Sequence, residues 1–592
     1  VEVSMYLPID FNEVKLQYPL QEKIGPNELL IGREPEFKNM HKWINNIPKK
    51  MSKSRVLLGR RKSGKTTFMQ RIFNQVWSAN GDVVPFFISI PEKRMWYRDF
   101  IVEYFRTFAS QYISFYEQDP LLVKNHLDIE QILEYAKNNS HSSLEHNTQS
   151  IMNNLDKGYY GVAWSTIYRL PHILASIHEK HRILVMIDEF QYLANHIYMR
   201  EDLSGEPDDY MPGSFHEVSE SKVAPMLVTG SYVGWMLDIM GKHLEAGRLS
   251  QIPFSPYLTE KEGLRAVYTY AEVYEEPISN KTALQINKLC HSDPFFISCV
   301  VQSNNPTRDL SEPEGVIQTV DFEVQNRKSE MSETWREYID LTVDRINDTY
   351  GKKLLLHLSK HNNRYWTPKE LKAELALEET ETAIHRRLLS LVKADLVEWG
   401  PADIEFRGLK DGTLNLILRS RFEREIVDHV PDLKADFRAE TEKLLSENKR
   451  LKGQLRDLKG KSAEYIVVNG MRTKKKFRLS QFFEGVTDDT RLNIIDVRPR
   501  IYIYRDDDKK MELDVVAKSS DGHAVLVEVK NWDTKVSASD VGDFMEKVEV
   551  YRGQNPNKDI LCAFVSMGGF TKNAQDVLDT SGIAWTTDID QF

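Results

Sequence analysis

Arg55-Val56-Leu57-Leu58-Gly59-Arg60-Arg61-Lys62-Ser63-Gly64-Lys65-Thr66 is the stretch on which the fold turns. Its first four residues have an apolar centre and read as a short buried strand. The next eight fit G-x-x-x-x-G-K-[ST] in full, and Phe68, Ile72, Phe73 and Val76 continue at helical spacing. A loop between a strand and a helix N-terminus turns its backbone N–H groups inward, where they cradle phosphate oxygens. Gly59, Gly64, Lys65, Thr66 and Thr67 are therefore the expected nucleotide-binding residues. Lys65 is expected to reach the β- and γ-phosphates of ATP, and the Thr66 hydroxyl to hold Mg²⁺.

Working outward, Val83 to Ile90, Ile183 to Ile187 and Met226 to Thr229 are further strands, and the Ile183 run is continuously apolar, as in sheets buried on both faces. Helical patterns alternate with them, which predicts an α/β domain with a parallel sheet over residues 1–255. The run at Ile183 ends in Asp188-Glu189. Asp188 is the expected Mg²⁺ ligand and Glu189 the expected general base for an attacking water; the alternative is a plain acidic turn. Thr229-Gly230-Ser231 ends the next run, where Ser231 is a candidate to sense a γ-phosphate. Arg248, after Gly247, is a candidate to reach a phosphate in its own chain or in a neighbouring subunit, or else a surface arginine.

Residues 256–330 read as a helical lid and linker, helical over 259–303 and polar over 304–330. Residues 331–425 read as a winged helix. Its helices run through Leu354 to Leu358, Thr367-Pro368 and Ile384 to Val392, and its wing is expected from Asp395 to Trp399 and Leu414 to Leu418. His385, Arg386 and Arg387 on the third helix, with Arg407 and Lys410, suit either a nucleic-acid groove or a protein contact. Phe437, Leu444, Leu451 and Leu458 recur every seven residues, with Asn448 and Leu455 in the alternate seam. Residues 430–460 are expected to be a coiled-coil linker ended by Gly460, or a long amphipathic connector. Residues 1–30 read as a turn-rich arm and 138–147 as a loop.

The last segment, 461–592, carries a second constellation. Met511 to Val516 and Val525 to Val529 are apolar strands joined by the hairpin turn Ser519-Ser520-Asp521-Gly522. Asp514 and Glu528 can aim two carboxylates at one divalent ion. With the Val529 carbonyl they make an oxygen set suited to Mg²⁺ or Mn²⁺. Lys530 falls two residues after Glu528, on the same strand face, where an ammonium orients water and offsets phosphorane charge. The basic run Arg472 to Arg478 is either a solvated loop or a phosphate contact.

At 592 residues the chain exceeds the ~250–300 at which single cores stop growing, so several domains are expected. No apolar run approaches the ~20 residues of a membrane helix. A formal net charge of -10 argues against a nucleic-acid coat protein but not against an enzyme with local basic patches. Cys290, Cys299 and Cys562 give neither zinc spacing nor a disulfide framework, which fits a reducing, cytoplasmic setting.

Ile31-Gly32-Arg33-Glu34, the Gly59–Thr66 loop, Asp188-Glu189-Phe190-Gln191, Thr229-Gly230-Ser231 and the winged helix together resemble the archaeal-type ATPases of the AAA+-related, STAND-like P-loop group. The resemblance implies ATP binding and hydrolysis, and puts Arg33 near the adenine or ribose. Where that family's lid has Gly-Asn/Gln-Pro, this chain has His291-Ser292-Asp293-Pro294. Residues 461–592 resemble the PD-(D/E)XK nucleases, particularly their Mrr-like branch. This implies that Glu464, on the preceding helix, joins Asp514, Glu528 and Lys530 in catalysis; Leu513 stands where the family has proline. The expectation is an α/β multidomain chain: a P-loop parallel sheet with helical lid, a winged helix, a coiled-coil linker and a restriction-endonuclease-like domain. Its expected function is ATP-dependent or ATP-gated cleavage of DNA, double-stranded, by a homo-oligomer with ATP, Mg²⁺ and, at the nuclease site, Mn²⁺. Defence against foreign DNA or mobile-element biology is the implied setting. The alternative is a regulatory switch ATPase whose tail binds DNA or partners with little cleavage.

Overall fold

The structure, a computed structural model, describes residues 8–231, 233–244, 247–336, 339, 349–393, 396–427, 432–530 and 534–592. The chain divides into two compact units, Val1–Glu440 and Thr441–Phe592.

In the first unit the first seven strands are β1 (Arg55–Leu58), β2 (Val83–Ser89), β3 (Met95–Trp96), β4 (Arg182–Asp188), β5 (Ile197–Tyr198), β6 (Met226–Gly230) and β7 (Ser250–Pro253). Five form one sheet in the order β2-β4-β6-β1-β7, each neighbouring pair parallel, while β3 and β5 pair separately. β4 is buried along its whole length, which is why its sequence shows a continuous apolar run rather than alternation. Helices Lys65–Ala79, Tyr97–Glu117 and Tyr160–Ile177 cover the sheet and bury Phe68, Phe73, Trp77, Phe105 and Trp164. Three lid helices follow, Glu260–Val273, Asn280–Leu289 and Pro294–Val301. Each is opened by a side-chain cap, from Thr259, Ser279 and Asp293.

Several expectations change here. Residues 304–330 are not linker throughout: Pro313–Gln325 is a helix that buries Val316, Ile317, Val320 and Val324. Interleaved Gln, Asp and Glu residues diluted that periodicity. The loop expected over 138–147 narrows to 139–141, because Ser142–Asp156 is a helix with Leu144, Thr148, Ile151 and Leu155 inward. The wing pairs β8 (Val397–Trp399) with β9 (Phe406–Gly408), antiparallel. Leu414 to Leu418 belong instead to the helix Gly412–Val427. The Asp411 carboxylate accepts the Leu414 N–H at 2.9 Å, and a carboxylate over a helix N-terminus favours that helix over a strand. Asp395 lies outside the described residues.

The helix Leu433–Lys474 runs through Gly460 without a break. A mid-helix glycine costs ~1 kcal/mol relative to alanine, too little to stop a helix whose neighbours favour it. Phe437 is buried, but Leu451 and Leu458 are 55% and 66% exposed, so the heptad stripe is open over its second half. The Leu455 side chain lies outside the described residues.

In the second unit β10 (Lys476–Phe477), β11 (Leu492–Tyr504), β12 (Lys510–Ser519), β13 (His523–Lys530), β14 (Asp559–Ser566) and β15 (Ala584–Thr586) lie side by side in chain order. The sheet is antiparallel from β10 to β13 and parallel from β13 to β15. Val515, Val527 and Val565 form one apolar layer with Val467, Val468 and Met471 of the long helix. Leu526 and Phe564 form another with Phe544 of the helix Ala538–Gln554. Among the described residues no helix is long and apolar enough to cross a membrane.

Candidate functional site

Parallel register delivers the first site. Leu58, the last residue of β1, pairs with Gly230 of β6 and Pro253 of β7, so the Gly59–Thr66 loop leaves the sheet beside Thr229-Gly230-Ser231. Gly64 adopts φ 89° and Lys62 φ 63°, left-handed backbone that curls the loop. Lys65 is buried, its ammonium donating to the Gly59 carbonyl at 2.6 Å and the Arg60 carbonyl at 2.9 Å. The Thr66 hydroxyl donates to Asp188 at 2.8 Å, and the Thr229 hydroxyl donates to the other oxygen of the same carboxylate. Glu189 has left-handed backbone, φ 56°, and accepts from the Ser231 hydroxyl and the Gln191 amide. Lys65, Thr66, Asp188, Glu189 and Ser231 thus meet at one end of the sheet. Thr67, the next residue of the helix, is buried.

Two further expected contributors have partners of their own. Arg33 is buried against the loop. Its guanidinium donates to the Ser63 carbonyl at 3.2 Å and lies over the Phe254 ring, 4.5 Å from its centroid, so it braces the loop. Arg248 precedes β7, whose Ser250 pairs with Arg55 at the start of β1. That is the sheet end away from the phosphate loop, and there Arg248 pairs with Glu220 at 2.8 Å. This register sets Arg248 away from the phosphate loop of its own chain.

Sequence reading passed over Arg60, the second loop residue. Its buried guanidinium pairs with Asp293, the cap of the helix Pro294–Val301, and with Asp411 at 2.6 Å, the cap of Gly412–Val427. The Tyr257 hydroxyl donates to Asp411, and Trp335 lies 4.9 Å beneath the guanidinium. Burial lowers the Arg60 pKa, but the two carboxylates outweigh it and hold the group firmly charged. Burial raises the Asp293 pKa, and Arg60 opposes that rise. No local pattern marks this cluster, because Arg60 lies far along the chain from every one of its partners.

The second site lies where β12 and β13 diverge. Asp514 and Glu528 are buried, and the Val529 N–H donates to Asp514 at 2.8 Å. Burial first, and then the Glu528 charge, raise the Asp514 pKa. Lys530 donates to Glu528 at 2.8 Å; burial lowers its pKa, but the Glu528 charge and hydrogen bond outweigh this and raise it. Glu464, on the long helix, is taken up by Arg500, whose Nε and terminal nitrogen donate at 2.7 and 2.9 Å. Arg500 itself has φ 53° and stands 3.9 Å from Glu512. Glu464 is therefore held by an arginine and is not a third open carboxylate. Among the described residues no group of three or more His, Cys, Asp or Glu side chains forms a metal cage. Two carboxylates and a carbonyl still fit Mg²⁺ or Mn²⁺, which keep waters in the other positions. Arg500 and Lys547, another partner of Glu528, were absent from the sequence reading.

The basic candidates are partly committed. Arg387 pairs with Glu379 and Arg407 with Glu398, while Arg386 is exposed. In the 472–478 run, Arg472 donates to the Val497 carbonyl and Arg478 to the Asp489 carbonyl, leaving Lys475 and Lys476 facing solvent.

No protein-family model matches the chain, and no curated protein matches it. Solved structures do. The Walker-type ATPase PABY2304 of Pyrococcus abyssi is 14% identical, with TM-score 0.44 over 68% of this chain and 99% of that one. The ADP form of the Aeropyrum pernix ORC2 protein is 13% identical, with TM-score 0.35 over 72% and 99%. The Thermotoga maritima RuvB Holliday junction branch migration motor is 11% identical, with TM-score 0.29 over 70% and 100%.

Proposed function

We propose that this chain is an ATP-gated, metal-dependent DNA endonuclease, a P-loop ATPase unit governing a PD-(D/E)XK-type nuclease unit. One observation carries the reading: Asp514, Glu528 and Lys530 converge in a chain whose first unit also gathers Lys65, Thr66, Asp188 and Glu189. On this reading the loop N–H groups hold the ATP phosphates, and Lys65 turns from the loop carbonyls toward the β- and γ-phosphates. Thr66 and Asp188 would hold Mg²⁺. Glu189, steadied by Ser231 and Gln191, takes the proton of the attacking water. In the second unit Asp514, Glu528 and the Val529 carbonyl would hold Mg²⁺ or Mn²⁺, which supplies Lewis acidity and an acidified water. Lys530 orients that water and offsets charge on the phosphorane.

The proposed substrate is double-stranded DNA and the proposed assembly a homo-oligomer, joined in part through the exposed Leu451 and Leu458 stripe. A role in defence against foreign DNA or in mobile-element biology rests on the family resemblance alone. A second reading, a switch ATPase whose tail binds DNA with little cleavage, is favoured by the basic partners that already occupy Glu464 and Glu528.

The test is cleavage of plasmid and linear DNA with Mg²⁺ or Mn²⁺, with and without ATP, by wild type, Lys65→Ala and Asp514→Ala. The gated nuclease predicts loss of cutting in both variants. Loss in Asp514→Ala alone means an autonomous nuclease. No cutting by wild type moves the assignment to the switch ATPase.

A further inference from the structure

Glu528 carries more positive charge than its own motif supplies. Lys530 donates to one carboxylate oxygen at 2.8 Å. Lys547, from the helix Ala538–Gln554, donates to both oxygens, at 2.7 and 2.8 Å. The Glu528 side chain is 2% exposed, so its acceptor positions face ammonium groups rather than solvent. Asp514, Glu528, Lys530 and Lys547 together sum to zero formal charge.

A divalent ion bound by Asp514 and Glu528 would leave the group at +2, with two ammonium groups bearing on that ion. Like-charge repulsion between these groups and the ion is weakly screened where the carboxylates are buried. Lys530 is tied to the strand that carries Glu528. Lys547 belongs to another element, is 18% exposed, and has a flexible four-carbon stem at the rim of the site. It is the group able to move.

We propose that Lys547 is a built-in counterion that occupies Glu528 until a divalent cation displaces it, and that the displaced ammonium then binds a phosphate oxygen of the nucleic acid. This rests on the nuclease reading above. Lys547 thereby couples metal loading to substrate binding. The anionic phosphodiester offsets the charge the metal brings, and the lysine released by the metal is the group that meets it. No bond beyond this exchange of ion pairs is made or broken.

The experiment uses the full chain, without nucleotide for the metal and DNA titrations and with ATP for cleavage. Lys547→Met keeps the length and apolar stem but removes the charge. Mn²⁺ binding is read by calorimetry, taking the signal lost in Asp514→Ala as the site. Duplex DNA binding is read in Ca²⁺, and cleavage in Mn²⁺. In Lys547→Met the Mn²⁺ dissociation constant is expected to fall about tenfold, as a competing charge is removed, while DNA affinity and cleavage each fall about tenfold. Lys547→Arg, which keeps the charge, restores metal affinity and most DNA binding. A Lys547→Met protein that melts lower yet binds Mn²⁺ unchanged or more weakly overturns the proposal. So does one with normal melting and unchanged metal and DNA affinities. A wild type with neither Asp514-dependent Mn²⁺ binding nor cleavage defeats the nuclease reading itself, and the proposal with it.

Discussion

Gly59 shows how little freedom the phosphate loop has. A Cβ built there would lie 2.4 Å from the Phe254 carbonyl oxygen, and backbone cannot step aside as a flexible side chain does. Gly59→Ala is expected to weaken nucleotide binding about tenfold, or ~1.4 kcal/mol, in a fluorescent-nucleotide titration. A variant that binds as wild type would show that the Phe254 segment yields. Histidines set an acid limit on the first unit. His181 stacks on His178 with ring centroids 4.5 Å apart, and burial, then the charge of His178, lower its pKa to about 4. The folded state thus binds this proton less readily than the unfolded chain, where the value is ~6.5. The stability it secures is complete above pH ~6.5 and is lost as pH falls toward 4. His181→Gln should flatten that acid loss by ~1–2 kcal/mol in urea melts at pH 5 against pH 7.5, a figure discounted because the ring is only half-buried. At this scale the loop ligands were legible, since Lys65 and Thr66 lie a fixed step from Gly59. Arg60, Arg500 and Lys547 were not, because each acquires its role from a partner on another element.

Elements read well where an apolar run was bounded by turn residues, and poorly where a cap decided the outcome. The β12–β13 hairpin was visible from its apolar runs and its turn. Gly412–Val427 was mistaken for a wing strand because Leu414 to Leu418 is apolar enough for either, and the Asp411 cap settles it only once the chain is folded. The long helix gives the clearest prediction at this level. Leu451 and Leu458 are exposed at seven-residue spacing, so glutamates there cost the isolated chain little. Leu451→Glu with Leu458→Glu should lower the oligomer mass in mass photometry while the melting temperature of the monomer holds. An unchanged mass would assign the stripe to no partner helix.

Across the first unit, the phosphate loop is tied to the lid and to the helix after the wing by one arginine. Arg60→Met would leave Asp293 and Asp411 buried without their countercharge, a loss of about 3–5 kcal/mol for a broken buried pair. Hydrogen exchange should then quicken in Pro294–Val301 and Gly412–Val427 before it does in the sheet; uniform quickening would mean that the cluster only adds global stability. The strand order also governs how the molecule is born. β1 acquires its neighbours only from β6 and β7, and Arg55 waits for Leu227. At ~5–20 residues per second of synthesis, the roughly 170 intervening positions take about ten to thirty seconds. Throughout that interval Val56 and Leu57 have no strand to pair with, and a ribosome stalled before Met226 holds out a sticky, unfinished edge. The yield of this protein should therefore follow the pace of translation through its first half and the supply of chaperones that shield nascent chains.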